Sequence, residues 1–163
     1  MSKLYVGVDN GKMGSIVAIN SDGSIHSLHC MPLLAKEYDT VAIYDIFKQY
    51  KDNNDEIVVA LEKAYTLPLN GCKANFTTGR QYGEMECILK VLKIPYVIIG
   101  ARTWQKAIFK GQDYTKNTKD ASIMWCLKRY PDVMWKRTER CTNYSDGLTD
   151  GCCLCCYAKE KNL

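Results

Sequence analysis

No apolar run in this sequence approaches the roughly 20 residues that a membrane-spanning helix requires, and the opening MSKLYVGVDNG lacks the charged-then-apolar pattern of a secretory signal. These absences predict a soluble chain in a reducing, intracellular compartment, with no membrane partner. Internal repeats and low-complexity tracts are missing too, so repeat architectures are excluded. What the chain lacks in paired cysteines is equally informative. There are nine, an odd number at irregular spacing, which argues for free thiols and against a disulfide framework. Cys152, Cys153, Cys155 and Cys156 form two Cys-x-x-Cys pairs and invite a zinc reading. Structural zinc usually draws a second ligand pair from elsewhere, and Cys30, Cys72, Cys87, Cys126 and Cys141 are scattered singles. The competing reading is small, polarizable filler on a buried helix.

Nor is there a strong excess of charge of one sign: the formal net charge is +4. Its distribution is uneven, however. Residues 101–140 hold ten Lys or Arg against four Asp or Glu, whereas 1–100 and 141–163 each sum to −1. A basic segment of this kind suits a polyanionic substrate, or is simply a solvated loop and helix face. At 163 residues the chain fits a single domain, 1–163, that buries its core without staples.

What is present reads as α/β. Residues 3–9, 14–20 and 24–31 alternate with the turns Asn10-Gly11-Lys12 and Ser21-Asp22-Gly23 and predict an antiparallel meander. TVAIYDIFKQY has near-helical apolar spacing, with Thr40 or Asp39 placed to cap it. A strand over 57–62, a helix over 77–93 and a strand over 95–100 follow. Helices are then expected over 102–109, 118–130 and 145–159. The order predicts a mixed five-stranded sheet, a three-strand antiparallel meander plus two parallel strands, with helices on both faces. The polar, basic stretch 132–143 reads as a mobile loop next to substrate.

Four acids stand at element ends. Asp9 closes the first apolar strand, in a hairpin where a polar tip is the plain alternative. Glu62 ends IVVALE, where α/β sheets commonly bind ligands and where a charge is costly unless paired or bound to a cation. Asp146 and Asp150, four apart, share one helix face. Taken singly, Asp146 could be a cap and Asp150 a first-turn acid favoured by the helix dipole. Gathered at one point, four carboxylates would hold hard divalent ions, and two such ions can activate a water and stabilise a leaving oxygen in phosphodiester hydrolysis.

GVDNGKMGSIVAI, VALEKAY, GRQYGEMECILKVLKIPY, ARTWQKAI, KDASI and SDGLTDGCCLCCYA, in that order across residues 4–158, resemble the RuvC-type Holliday junction resolvases, and especially their phage-encoded relatives, of the RNase H-like, retroviral-integrase fold. The resemblance implies a structure-selective endodeoxyribonuclease that resolves four-way DNA junctions by paired, metal-dependent incision, leaving 5′ phosphates and 3′ hydroxyls. It further implies metal ligation and catalysis by Asp9, Glu62, Asp146 and Asp150, two Mg²⁺ per site with Mn²⁺ as a substitute, a homodimer, and no small-molecule cofactor. Tyr65 takes the place of an aromatic that wedges into the crossover, while a tyrosine packed at a strand end is its plain alternative. Lys106 and Lys119 fall where the family has phosphate-contacting lysines, with Arg102 beside them; lysines that are simply solvated are the plain alternative. Helix 77–93 carries Met85, Ile88, Leu89 and Leu92 on one side, which offers an isologous dimer face or, as such stripes more often do, intramolecular core.

Three features depart from the family pattern: Gly151 where many relatives have alanine, an Asp146-to-Asp150 spacing one longer than in some members, and the cysteine-rich last helix. Other RNase H-fold nucleases, acting on flaps, branched DNA or RNA–DNA hybrids, would use the same four acids. GVDNGKMGS also looks like the phosphate hairpin of sugar or acetate kinases, but those need two such domains. A purely binding module would gain affinity by losing acids near phosphate.

Overall fold

The computed structural model describes residues 3–66, 68–69, 71–111 and 117–163. Strands β1 (Lys3–Asp9), β2 (Ser15–Asn20) and β3 (Ile25–Cys30) form the expected meander. A two-residue hairpin, β4 (Leu33–Leu34) and β5 (Glu37–Tyr38), precedes helix α1 (Thr40–Asn53). Asp39 caps α1, its carboxylate accepting from the Ala42 amide at 3.0 Å. Then come β6 (Glu56–Glu62), α2 (Cys72–Val91), β7 (Tyr96–Ile99), α3 (Ala101–Ile108), α4 (Thr118–Arg129) and α5 (Asp146–Glu160). Helix α2 begins five residues earlier than position 77, since CKANF has no helix breaker and its solvent-facing first turn carries no apolar period to read. Among the described residues no helix is long and apolar enough to cross a membrane.

The sheet order is β3-β2-β1-β6-β7. β1 pairs antiparallel with β2, and parallel with β6 in a register that sets Val8 opposite Leu61. Side chains alternate across a strand, and this decides where the acids point. Leu4, Val6 and Val8 of β1, with Ile57, Val59 and Leu61 of β6, pack on one face against Phe47 of α1 and Leu89 of α2. Tyr5, Val58 and Ala60 face the other layer, built by Trp104 of α3, Cys126 of α4 and the cysteines of α5. Asp9 and Glu62 share the parity of that second set, so they emerge on the α5 side at the carboxyl ends of neighbouring parallel strands.

Helix α5 crosses β1 at backbone-contact range. A Cβ added at Gly7 would lie 2.0 Å from the Gly151 carbonyl oxygen, and one at Gly151 would lie 2.2 Å from Ser15 Oγ. Glycine at 151 is therefore a packing requirement of this chain, which accounts for its departure from alanine. Ser15 Oγ donates to the Gly147 carbonyl at 2.7 Å and ties the first turn of α5 to β2.

The cysteines follow the same layering. All nine are free, and Cys126, Cys152, Cys153, Cys155 and Cys156 are buried in the second core. Sulfurs of Cys152, Cys155 and Cys156 lie within 4.8 Å of one another, while burial pushes the Cys152 and Cys155 thiols upward. In their packing these side chains act as compact apolar filler. Met85, Ile88, Leu89 and Leu92 are buried under the sheet, so the side of α2 expected as a dimer face is intramolecular core instead.

Candidate active site

Asp9 ends β1, Glu62 ends β6, and Asp146 and Asp150 occupy the first two turns of α5. Ser145, not Asp146, is the α5 cap, its hydroxyl accepting from the Leu148 amide at 3.4 Å. That leaves Asp146 free to reach outward. Burial pushes the Asp9 carboxyl well above its ordinary range, and the charges of Glu62, Asp150 and Asp146 push the same way, with Lys119 opposing. Asp9 therefore senses the other three acids, and Asp150 senses Glu62 and Asp146.

Each acid has a distinct environment. The Glu62 carboxyl is raised by burial, against a hydrogen bond at 2.9 Å from the indole Nε1 of fully buried Trp104 to its Oε2. Asp150 is raised to about 7, first by burial and then by the charges of Glu62 and Asp146, with the Ser122 hydroxyl opposing. Its Oδ1 is buried without a hydrogen-bond partner among the described residues. Burial also acts on Asp146, but the ammonium of Lys119, 2.8 Å from its Oδ2, outweighs it and holds that carboxyl below its usual range. Among the described residues the sulfur trio of α5 is the only group of three or more potential ligand atoms within 4.8 Å, so the four acids border an open site, not a closed cage.

This donor set fits an oxygen-seeking divalent cation. Carboxylates are hard ligands, three of these have proton affinities raised by enclosure, and the unpartnered Asp150 oxygen is the kind of buried polar atom that normally has a partner. A bound cation would relieve all three.

The remaining expected residues divide into two groups. Lys119, at the start of α4, pairs directly with Asp146. Tyr65 stands 55% exposed beyond β6, with the Lys63 ammonium 5.3 Å from its ring centroid, and lines a cavity of about 410 Å³ with Gly100, Arg102 and Thr103. Lys106 is exposed on α3 and forms no ion pair among the described residues. Part of the basic segment, 112–116, lies outside the described residues. Sequence reasoning missed Trp104 and Ser122, whose apolar-face positions in their helices read as core. The stretch 132–143, expected as a mobile loop, is anchored: Trp135 is fully buried and its carbonyl accepts from the Ser145 amide at 2.8 Å.

A mixed sheet in this order, with an acidic locus where β1, β6 and the last helix meet, defines an RNase H-like fold. The chain shares that fold with RuvC of Thermus thermophilus. Against RuvC in complex with Holliday junction substrate the TM-score is 0.63 at 9% identity, covering 99% of this chain and 96% of that one. Against a second structure of T. thermophilus RuvC it is 0.61 at 13% identity, covering 99% and 97%. Protein-family models give no match to the sequence, and neither do curated proteins.

Proposed function

We propose that this protein is a divalent-metal-dependent endonuclease that cuts branched DNA, with the four-way junction as its substrate. The observation that carries this reading is the convergence of Asp9, Glu62, Asp146 and Asp150 on one side of a RuvC-like sheet. A solved RuvC in complex with a Holliday junction substrate supports the choice of DNA.

Asp9, Glu62 and Asp150 would hold the metal, with Asp146 joining them, and Mg²⁺ is the ion we assign. When bound, such ions lower the pKa of water and stabilise charge on the departing oxygen. The protein's own part is positional. Trp104 fixes the Glu62 carboxylate, and Lys119 presents a cation to a phosphate approaching Asp146. Tyr65, exposed at the rim beside Arg102, is placed to stack on a base already unpaired at a crossover, and Lys106 extends the basic surface along α3.

Resolution of a junction takes two incisions, so we assign a homodimer. Its contact is proposed on the outward face of α2, where Phe76 and Val91 are 72% and 67% exposed and an added Cβ at Gly79 or Gly83 would meet nothing within 4 Å.

Incubating the purified protein with fixed and mobile junctions, flaps and RNA–DNA hybrids, with and without Mg²⁺, tests the proposal. Metal-dependent paired nicks in junctions are expected, lost in Asp9→Asn with junction binding retained. Equal cutting of flaps or hybrids would remove the junction assignment, full activity of Asp9→Asn would remove the acidic locus as the active site, and absence of any cutting by the wild type would remove the nuclease reading.

A further inference from the structure

A cleft of about 370 Å³ opens directly beside the acidic locus, with Asp146 as one wall and Met13, Arg137, Arg140, Cys141 and Tyr144 among the others. The loop that builds it is held in place. Trp135 is buried in the core, the Cys141 amide donates to the Thr138 carbonyl at 3.1 Å, and Arg137 Nη1 donates to the Met13 carbonyl at 3.0 Å. That last bond joins the loop to the turn following Asp9. Arg137 is thereby aimed by a neutral partner and forms no ion pair among the described residues. Arg140 is exposed and forms no ion pair among the described residues. Tyr144 is 46% exposed, with the Lys136 ammonium 5.8 Å from its ring centroid. Over residues 136–144 three cations face a single carboxylate, Glu139.

Cations along a groove with an exposed aromatic ring are the chemistry that takes single-stranded nucleic acid: the charges follow phosphates and the ring stacks on a base of any identity. The wall shared with Asp146 sets the register, because a phosphate at the acids has its neighbour within this cleft. We propose that the cleft holds the unpaired nucleotide adjoining the scissile phosphate, with Arg137 and Arg140 on its phosphates and Tyr144 against its base. The inference rests on the nuclease reading and adds to it a second strand-binding limb, built by the loop before α5.

Cys141 in the cleft wall supplies the test. Its thiol lies beside the Thr138 hydroxyl at 3.3 Å, whereas Cys72 and Cys87 stand on the outward side of α2, the proposed dimer contact, whose covering does not depend on DNA. The full chain is alkylated with iodoacetamide in chelator, alone and with saturating fixed junction or single-stranded DNA, and each cysteine is followed by peptide mass spectrometry. Slowed labelling of Cys141, with labelling of Cys72 and Cys87 unaltered by DNA, is the expected result. Arg140→Ala should lower the slope of log affinity against log salt by about 0.7 to 0.9, the value for one phosphate. Tyr144→Ala should weaken single-strand binding by about tenfold; both positions are exposed, and melting curves verify folding. DNA that binds and is cleaved while Cys141 labels at its free rate, or an unchanged salt slope in Arg140→Ala, overturns the cleft and leaves the nuclease reading standing. Failure of the wild-type chain to bind any DNA overturns both.

Discussion

Trp104, fully buried in α3, donates its indole N–H to the Oε2 of Glu62 at 2.9 Å, so a core side chain holds one of the four acids. Outer partners of this kind commonly change metal affinity or activity by about 10- to 100-fold when removed. Trp104→Phe should raise the Mg²⁺ concentration for half-maximal cleavage by about tenfold, in addition to a stability loss from the smaller ring. Melting temperature measured beside a Mg²⁺ titration separates the effects. A lower melting temperature with an unchanged titration would reduce Trp104 to packing.

Asp150 couples stability to pH. Its folded pKa, about 7, lies above the ordinary value, so the folded state binds this proton more tightly than the unfolded chain does. That contribution is complete below pH 4 and is lost as pH rises toward 7. Without metal, Asp150→Asn should therefore stabilise the protein at pH 7.5 by on the order of a few kcal/mol and have little effect at pH 4. Added Mg²⁺ should raise the wild-type melting temperature at pH 7.5 and not that of the variant. Urea midpoints at the two pH values decide it; equal shifts at both would refute the linkage.

Lys119 and Asp146 form an ion pair whose lysine side chain is 72% exposed, and such surface pairs contribute about 0 to 1 kcal/mol. Lys119→Ala should leave the melting temperature nearly unchanged. The DNA-binding salt slope should fall by about one, and Lys106→Ala should act alike. Titrations at several salt concentrations read the slope, and an unaltered slope would free that lysine from phosphate contact.

Two sides of α2 make opposite predictions. Leu89→Glu places a charge in the core and should unfold the chain, whereas Phe76→Glu should keep the fold and yield a monomer. Circular dichroism with light scattering distinguishes them. A folded Phe76→Glu dimer would exclude the outward face as the contact.

Tyr65→Ala removes a ring that is 55% exposed, so thermal stability should hardly change. Cleavage of junctions should fall more than general DNA affinity, because a ring at a crossover acts only where bases are unstacked. Loss of the same factor on junctions and flaps would sink the wedge role.

Much of this molecule was legible in local chemistry. Asn10-Gly11 and Asp22-Gly23 punctuate the meander, the VVALE run marks a doubly covered strand, and the cap Asp39 sits where a short polar side chain stops the backbone from fraying. The β4–β5 hairpin escaped notice because two-residue strands carry no period. The dimer face was misplaced for a related reason: an apolar stripe states that a helix side is covered, not by what.

That acids end β1 and β6 and open α5 on readable faces is a local matter, since strand parity and helix period are properties of neighbouring positions. That those ends meet is a product of long-range packing. The Gly7–Gly151 crossing sets α5 against β1, and burial there raises three carboxylates together. The contacts that Trp104 makes to Glu62 and Lys119 to Asp146 join residues 42 and 27 positions apart, separations at which no periodic signal survives.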